Sequence, residues 1–254
     1  MWTNIKYILL TALRDWLFAA LFVGVVFSTL VSGVMGGTAL LEPEQMTLTF
    51  SASSARVILV IGMIVFVCFH LRQAFDTKEI DVLLSRPISR SNLVLSYWLG
   101  FAFVGALLVI PTAVILLWSG IISEYGFIAW IVSLLLEIWL VISIAMFAAL
   151  TLKSAVSSVL ASLGMYVLSR MMGFFAATAE NGVLFHNQIL NESIRWVLDI
   201  ISIIVPRLDF FAKSQWLIYG VKSYSDIYLY VAQAGIFVPL LLTAAIIDFR
   251  RKQF

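Results

Sequence analysis

Two charged side chains lie inside otherwise uncharged apolar runs, where an ionisable group could do chemistry. Glu137 occurs in LLLEIWL, near the middle of one long apolar run, and Arg170 lies near the far end of the next run. A carboxyl group at such a depth either exchanges a proton or contacts a transported solute, or it is a neutral glutamate hydrogen-bonded between helices. Arg170 is either an anchor whose guanidinium reaches the polar interface or a contact for a substrate. The sequence leaves both alternatives open.

The residue patterns of common catalytic and metal sites are absent from the sequence. It has no G-x-x-x-x-G-K-[ST] phosphate loop, because Lys153-Ser154 lacks the preceding glycines. The two histidines, His70 and His186, fall on opposite sides of the predicted membrane and cannot share a metal ion. The predicted spans contain no paired carboxylates, and no histidine lies near a span serine that it could activate. We therefore expect no catalytic residue, no bound metal and no enzymatic activity in this chain.

A third concentration of polar residues is the segment 76–90, DTKEIDVLLSRPISR, which separates two apolar runs. Its acidic residues can cap the start of a helix, and Ile80, Leu83 and Leu84 follow at the i, i+3, i+4 spacing of an apolar face. Pro87 ends that helix. The segment is therefore predicted to form a short amphipathic helix, which either rests on the membrane surface or enters a groove of a soluble partner.

These residues are positioned by a strongly apolar chain. Of its 254 residues, 62% are hydrophobic and 12% are charged, which leaves too little polar surface for a water-soluble globule. A helix needs about 20 apolar residues to cross a bilayer, and six runs qualify. The second is short unless the side chain of Arg56, at its start, reaches outward. The chain is predicted to be an all-α integral membrane protein with a single transmembrane domain over 1–254 and spans at about 16–35, 56–71, 93–118, 127–150, 154–173 and 227–247.

Two segments outside the spans are also predicted to be helical. Residues 1–15 carry their apolar side chains on one face and are expected to lie in the membrane interface before the first span. The apolar run 194–205 has a single polar stripe, is too short to cross a bilayer and ends at Pro206, which favours a re-entrant or surface helix on the outer side. The apolar face of the first segment is formed by Trp2, Ile5, Leu9 and Leu13.

The basic residues are unevenly distributed between the two sides of the predicted membrane. Ten of the sixteen fall on the side that holds both chain termini, and the short loops of the other side carry Glu42, Glu44 and Glu124. Since cytoplasmic loops are enriched in Lys and Arg, both termini and the segment 76–90 are expected to be cytoplasmic. The net charge of +2 is small and dispersed, so no nucleic acid partner is expected.

Residues 78–100, KEIDVLLSRPISRSNLVLSYWLG, resemble the segment after the second span in permease subunits of ABC-2 type transporters, the exporter-like class of ATP-binding-cassette systems. The family pattern is an acidic residue, a short apolar helix with a Leu-Leu pair, then Pro, a small or apolar residue, Ser or Thr, and Arg. Lys78-Glu79 stands where the family often has Gly-Thr or Gly-Ser. The matching residues are Glu79, Leu83, Leu84, Pro87, Ile88, Ser89 and Arg90.

The resemblance implies a multi-pass permease of the plasma (bacterial inner) membrane. Its coupling helix, 77–86, would dock on a separate cytosolic ABC ATPase that binds ATP and Mg, while this chain binds no cofactor. A second permease chain, identical or a close paralogue, would complete the transporter, and an extracytoplasmic partner could be added. The expected function is to couple ATP hydrolysis to substrate export or conformational work; the alternative is a stand-alone ion-coupled secondary transporter that uses Glu137. The expected docking residues are Glu79, Asp81, Leu83, Leu84, Arg86, Pro87 and Arg90.

Overall fold

A computed structural model describes residues 2–14, 16–40, 42–80, 89–118, 122–180, 196, 200–201, 205–221 and 224–251. The described part of the chain is predominantly helical, as expected for an apolar chain whose backbone N–H and C=O groups need internal partners in a bilayer. A 3-10 turn, Leu208–Phe210, lies between α6 and α7. The helices are α1 (Trp2–Arg14), α2 (Trp16–Gly37), α3 (Pro43–Asp76), α4 (Arg90–Leu117), α5 (Glu124–Thr151), α6 (Ala155–Glu180), α7 (Gln215–Tyr219) and α8 (Tyr224–Arg251).

Six helices of the described chain are long and apolar enough to cross a membrane. This confirms the prediction of an all-α chain with six candidate spans. Each predicted span falls on one of them, in the predicted order. The candidate spans are Ala19–Gly37, Pro43–Asp76, Arg90–Leu117, Glu124–Thr151, Ala155–Phe175 and Ile227–Arg251.

Helix α3 is much longer than the predicted second span, 56–71. It has 34 residues and begins at Pro43. Its first turns are rich in threonine and serine, so hydropathy alone places the start of the helix too late. Those hydroxyls have partners within the protein, as when Thr47 donates to the carbonyl oxygen of Pro43 at 2.9 Å. As a result Arg56, expected at the edge of a span, lies well inside a helix.

Helix α1 packs against α4 through small and branched side chains. Ile8 and Ala12, one turn apart, are buried. Ile8 lies against Gly100 of α4, where an added Cβ would meet its side chain at 2.7 Å. Of the residues predicted to form the apolar face, Leu9 is half-buried, and the side chains of the other three lie outside the described ones. The placement of α1 in the membrane interface stays a prediction.

Helix α5 is the central helix of the bundle. In its apolar window 67% of the residues are buried inside the protein, against 17% for α2 and 22% for α8. It packs against α3, α4, α6 and α8. The peripheral helices expose apolar side chains such as Phe27 and Ile236, which suits contact with lipid. A charged residue on the buried part of α5 must instead be compensated by other protein groups.

The helices define two ends of the bundle. The basic end holds the start of α4 and the end of α8, because Arg250 donates to the hydroxyl oxygen of Ser91 at 2.8 Å. The opposite end holds the start of α5 and the residues 205–221, because the backbone N–H of Ser123 donates to the carbonyl oxygen of Leu217 at 2.9 Å. We call residues 205–221 the anchored segment.

Candidate functional site

Glu137 lies near the middle of the 28-residue central helix and is fully buried, with 0% of its surface exposed. Its neighbours along α5 are apolar on both sides, as the sequence LLLEIWL requires. Burying an unpaired carboxylate is very unfavourable, so such a residue persists in a folded protein only with charged or hydrogen-bonding partners. Those partners come from α6 and α3.

Two side chains of α6 face Glu137. The Nη1 atom of Arg170 lies 3.8 Å from Glu137 Oε1, and the hydroxyl of Tyr166 donates to the same oxygen at 3.4 Å. Tyr166 and Arg170 are one turn apart and therefore share a face of α6. At these distances Arg170 and Glu137 form an ion pair without a direct hydrogen bond, and the long tyrosine bond adds a weak contribution.

Arg56 of α3 brings a second positive charge to the same place. It is close enough to interact electrostatically with both Glu137 and Arg170. Its Nη1 donates to the carbonyl oxygen of Ala212 at 2.9 Å, so the side chain is directed into the protein. The acceptor belongs to the anchored segment at the opposite end of the bundle. We call Arg56, Glu137, Tyr166 and Arg170 the charge cluster.

The arginines of the charge cluster hold the anchored segment by its backbone. Arg170 donates to the carbonyl oxygens of Leu208 and Phe211, the latter at 3.0 Å. Arg56 binds the next carbonyl along, that of Ala212. Buried carbonyl groups outside a long helix need partners from elsewhere in the protein. A guanidinium has five N–H donors and can satisfy several acceptors at once, which explains why arginine serves here.

Neutral polar side chains add further attachments to the anchored segment. Ser133 of α5 accepts a hydrogen bond from the backbone N–H of Ala212 at 2.8 Å. Gln233 of α8 accepts one from a backbone N–H near the start of the segment at 2.9 Å. The hydroxyls of Ser53 on α3 and Ser214 lie 2.8 Å apart. Four spanning helices, α3, α5, α6 and α8, thus each contribute a polar side chain to this segment.

Close backbone approach also fixes the anchored segment. Gly126 of α5 lies against the backbone of Trp216, and a Cβ at this glycine would collide with the tryptophan carbonyl oxygen. Gly173 of α6 lies in the same way against the side chain of Asp209. Both positions need glycine for space. The segment therefore packs directly on the surfaces of α5 and α6.

Several buried polar atoms around the charge cluster have no hydrogen-bond partner among the described residues. They are Arg56 Nε, Trp130 Nε1, Glu137 Oε2 and Ser169 Oγ. Trp130 shares the Glu137 face of α5, two turns earlier, and Ser169 adjoins Arg170 in α6. A buried polar atom without a partner costs about 1–3 kcal/mol. The hydrogen-bonding capacity of the charge cluster is therefore not fully used by the described residues.

The chemistry that the charge cluster can provide is electrostatic. It sets one carboxyl group against two guanidinium groups in an apolar surround, where charges interact strongly. Within the described ranges, no group of three or more His, Cys, Asp or Glu could hold a metal ion. The geometry suits the holding and release of backbone carbonyls by arginine.

The predicted docking residues lie at the basic end, apart from the charge cluster. Glu79 is half-buried, and this burial raises the pKa of its carboxyl group. Arg90 donates to the carbonyl oxygens of Phe249 and Arg250 at the end of α8, at 3.3 and 3.1 Å. The remaining predicted docking residues fall outside the described part of the chain: Asp81, Leu83, Leu84, Arg86 and Pro87.

Ile80, next to Glu79, is buried among the spanning helices, with 2% of its surface exposed. The sequence predicted that it belongs to the apolar face of a surface helix. The structure instead shows that it packs inside the protein. Its neighbours come from α3, α4, α5 and α8 and line a small cavity with it: Leu71, Leu93, Val94, Tyr97, Met146, Leu150 and Phe249.

Sequence reasoning identified Glu137 and Arg170 but missed Arg56 and Tyr166 as their partners. One signal was available for Tyr166, which precedes Arg170 by four residues and so shares its helix face. Arg56 stands at the start of the second predicted span, after a stretch rich in serine. The partners of Arg56 could not be inferred, because they are backbone carbonyls, which carry no sequence signal.

Comparison of the chain with known protein families and with curated proteins gives no match. The geometry of the charge cluster and the contacts at the basic end are therefore the structural observations from which function can be inferred.

Proposed function

We propose that this chain is the membrane-spanning permease subunit of an ABC-2 type transporter, working as a pair with an identical chain or a close paralogue. A separate cytosolic ATPase would bind ATP and Mg. The observation that carries the proposal is that the segment between α3 and α4, which bears the resemblance, is attached to spanning helices at both of its ends. A displacement of this segment by a bound ATPase would therefore be transmitted directly to the spanning helices.

The two attachments differ in kind. At the start of the segment, Ile80 is inserted among α3, α4, α5 and α8. At its end, Arg90 is bonded to two carbonyls of α8, and Ser89 caps α4 by accepting a hydrogen bond from the N–H of Asn92. Apolar insertion resists pulling away from the bundle, and the polar contacts fix orientation. This combination suits a segment that must transmit motion to the helices while remaining attached to them.

In the proposed transporter, Leu83 and Leu84 supply apolar contact with the ATPase. Glu79, Asp81, Arg86 and Arg90 orient the docked helix, since charged contacts fix register more than they add affinity. Binding of ATP can shift the permease only by favouring one of its conformations over another. The contacts of Arg56 and Arg170 to the anchored segment are the part of the bundle that we propose differs between these conformations.

The ion-coupled alternative has weaker support from the geometry. A carrier that binds a cation at Glu137 would have to bring it beside two guanidinium groups, and Arg170 already lies 3.8 Å from the carboxyl oxygen. Like charges at such distances repel strongly in an apolar surround. Flux driven by a proton gradient in liposomes that contain only this chain would support the alternative.

The test of the proposal is cysteine crosslinking in native membranes. Ser85→Cys would be placed in a Cys68→Ala background, and the captured chain would be sequenced for a Walker A motif. We expect ATP-dependent capture of an ABC ATPase, and its loss on adding Leu83→Asp. Leu40→Asp, which places the same change on a fully exposed residue at the opposite end, should leave capture intact. Labelling of the cysteine by soluble maleimide without recovery of any ATPase would refute the proposal.

A further inference from the structure

A cavity of about 450 Å³ lies at the opposite end of the bundle, between the start of α5 and the start of α8. It is separate from the residues of the charge cluster and from the basic end. A volume of this size is within the range of about 300–1,000 Å³ found for small-ligand sites. Its lining residues are Tyr125, Ile128, Ala129, Val132, Val221, Ile227 and Tyr230.

The cavity opens sideways from the bundle. Ala129 and Tyr230 are buried and form its inner wall, while Ile128 and Val132 are exposed on the flank of α5. Both helices are apolar enough to span a membrane over this region. The flank on which the cavity opens is therefore the one that faces lipid.

The depth of the cavity matches one side of a bilayer. Its lining on α5 runs from Tyr125, the second residue of the helix, to Val132, about 10 Å along the axis. Half of a hydrocarbon core is about 15 Å thick. Tyr125 is exposed and lies at the start of a candidate span, a position that tyrosines often occupy near lipid headgroups in membrane proteins.

We propose that this cavity binds one acyl chain of a membrane lipid from the leaflet at the opposite end. No charged side chain lines it, so a charged or strongly polar ligand would lose its hydration without gaining partners. An acyl chain has no hydration to lose and needs no polar partner. It enters the cavity directly from the surrounding bilayer. This inference requires only that the apolar helices lie in a membrane, and it stands apart from the proposed transport function.

The bound chain would support the anchored segment. The ring of Tyr230 forms part of the cavity wall, and its other contacts are with Phe211 and Trp216, at centroid distances of 5.9 and 5.7 Å. Filling the cavity therefore braces a tyrosine that packs on the anchored segment. Lipid occupancy should stabilise the arrangement in which the arginines of the charge cluster hold that segment.

The test is photolabelling of the full chain in phosphatidylcholine vesicles that contain a lipid with a diazirine on one acyl chain. Mass spectrometry would compare labelling at Ile128 and Val132 with labelling at Ile236, which is as exposed as Ile128 (62% and 60%) but lies outside the cavity. We expect a several-fold excess in the cavity. Equal labelling would mean ordinary contact with surrounding lipid and would overturn the proposal.

Variants that fill the cavity make the test specific. Ala129→Leu adds bulk to the inner wall and should remove the excess labelling. Ala161→Leu makes the same change at an exposed position of α6 and should leave the excess intact. If Ala129→Leu does not fold, Val132→Phe narrows the opening from the exposed rim and should lower the excess. Labelling that persists in a folded cavity-filled variant would also contradict the proposal.

Discussion

Removing the negative charge of Glu137 should weaken the contacts within the charge cluster. The size of the resulting loss of stability follows from the distance between Glu137 and Arg170. Two unit charges 3.8 Å apart interact by about 4 kcal/mol at an effective dielectric constant of about 20. One quarter of the Arg170 side chain is exposed, so solvent screening lowers this value. We expect a coupling free energy of about 2–3 kcal/mol between the two residues, near the upper end of the range for contacting pairs.

The measurement is a double-mutant cycle of Glu137→Gln and Arg170→Gln. Each variant would be unfolded at equilibrium in mixed micelles of a mild detergent and sodium dodecyl sulfate, followed by circular dichroism. Glu137→Gln retains the size of the side chain and an acceptor for Tyr166, so its main effect is removal of charge. This single change should lower the free energy of unfolding by about 3 kcal/mol, because it leaves two guanidinium groups without a counter-charge.

The control is the pair Arg72 and Asp76 at the end of α3, which lie 2.8 Å apart and whose carboxylate is 59% exposed, whereas that of Glu137 is fully buried. An exposed pair one turn apart on a helix contributes about 0.3–0.5 kcal/mol despite its shorter distance. A coupling between Glu137 and Arg170 no larger than this control would refute the reasoning. It would mean that Glu137 is neutral and packed between helices, which is the other interpretation allowed by the sequence.

Three further predictions concern the individual residues Gly126, Ser133 and Glu79. Gly126→Ala should lower the free energy of unfolding by about 1–3 kcal/mol through collision with the anchored segment, whereas Gly164→Ala in open space should be neutral or stabilising in the same unfolding assay. Ser133→Ala removes the acceptor of the Ala212 N–H and should increase amide hydrogen exchange at Ala212 with little change elsewhere. Because the folded pKa of Glu79 is raised above its ordinary 4.5, the folded state binds the extra proton. Stability should therefore fall as pH rises from 4.5 through the raised pKa, and Glu79→Gln should abolish this fall in pH-dependent unfolding.

The spanning helices could be predicted from sequence because a bilayer imposes a single strong requirement. Any segment that crosses it must be long, apolar and hydrogen-bonded within itself. The polar first half of α3 was not predicted, because its residues do not meet this requirement for apolar side chains. Hydropathy detects contact with lipid, but the hydroxyls of residues such as Thr47 and Ser53 are satisfied by the protein. The start of a helix that is shielded by its neighbours gives no hydropathy signal.

The charge cluster could be predicted only in part. Isolated charges such as Glu137 and Arg170 stand out in apolar runs, so sequence identifies that something must compensate them. It does not identify the partner, because α3, α5 and α6 meet at angles and depths set by packing. The acceptors for Arg56 and Arg170 are backbone carbonyls at Leu208, Phe211 and Ala212. Every residue has a carbonyl group, so no pattern of residue types marks these.

Helix α3 links the two places where polar contacts concentrate. From Arg56 to its last residue, Asp76, it covers about 30 Å, the thickness of a bilayer core. Arg56 holds the anchored segment at one end of this stretch, and the buried Ile80 follows closely after the other end. A helix of this length without an internal proline or a kink-forming insertion moves largely as a rod. In the proposed transporter, a displacement of the docking segment by ATP binding would therefore be carried along α3 to the guanidinium of Arg56. There it would act on the hydrogen bonds by which Arg56 and Arg170 hold the anchored segment.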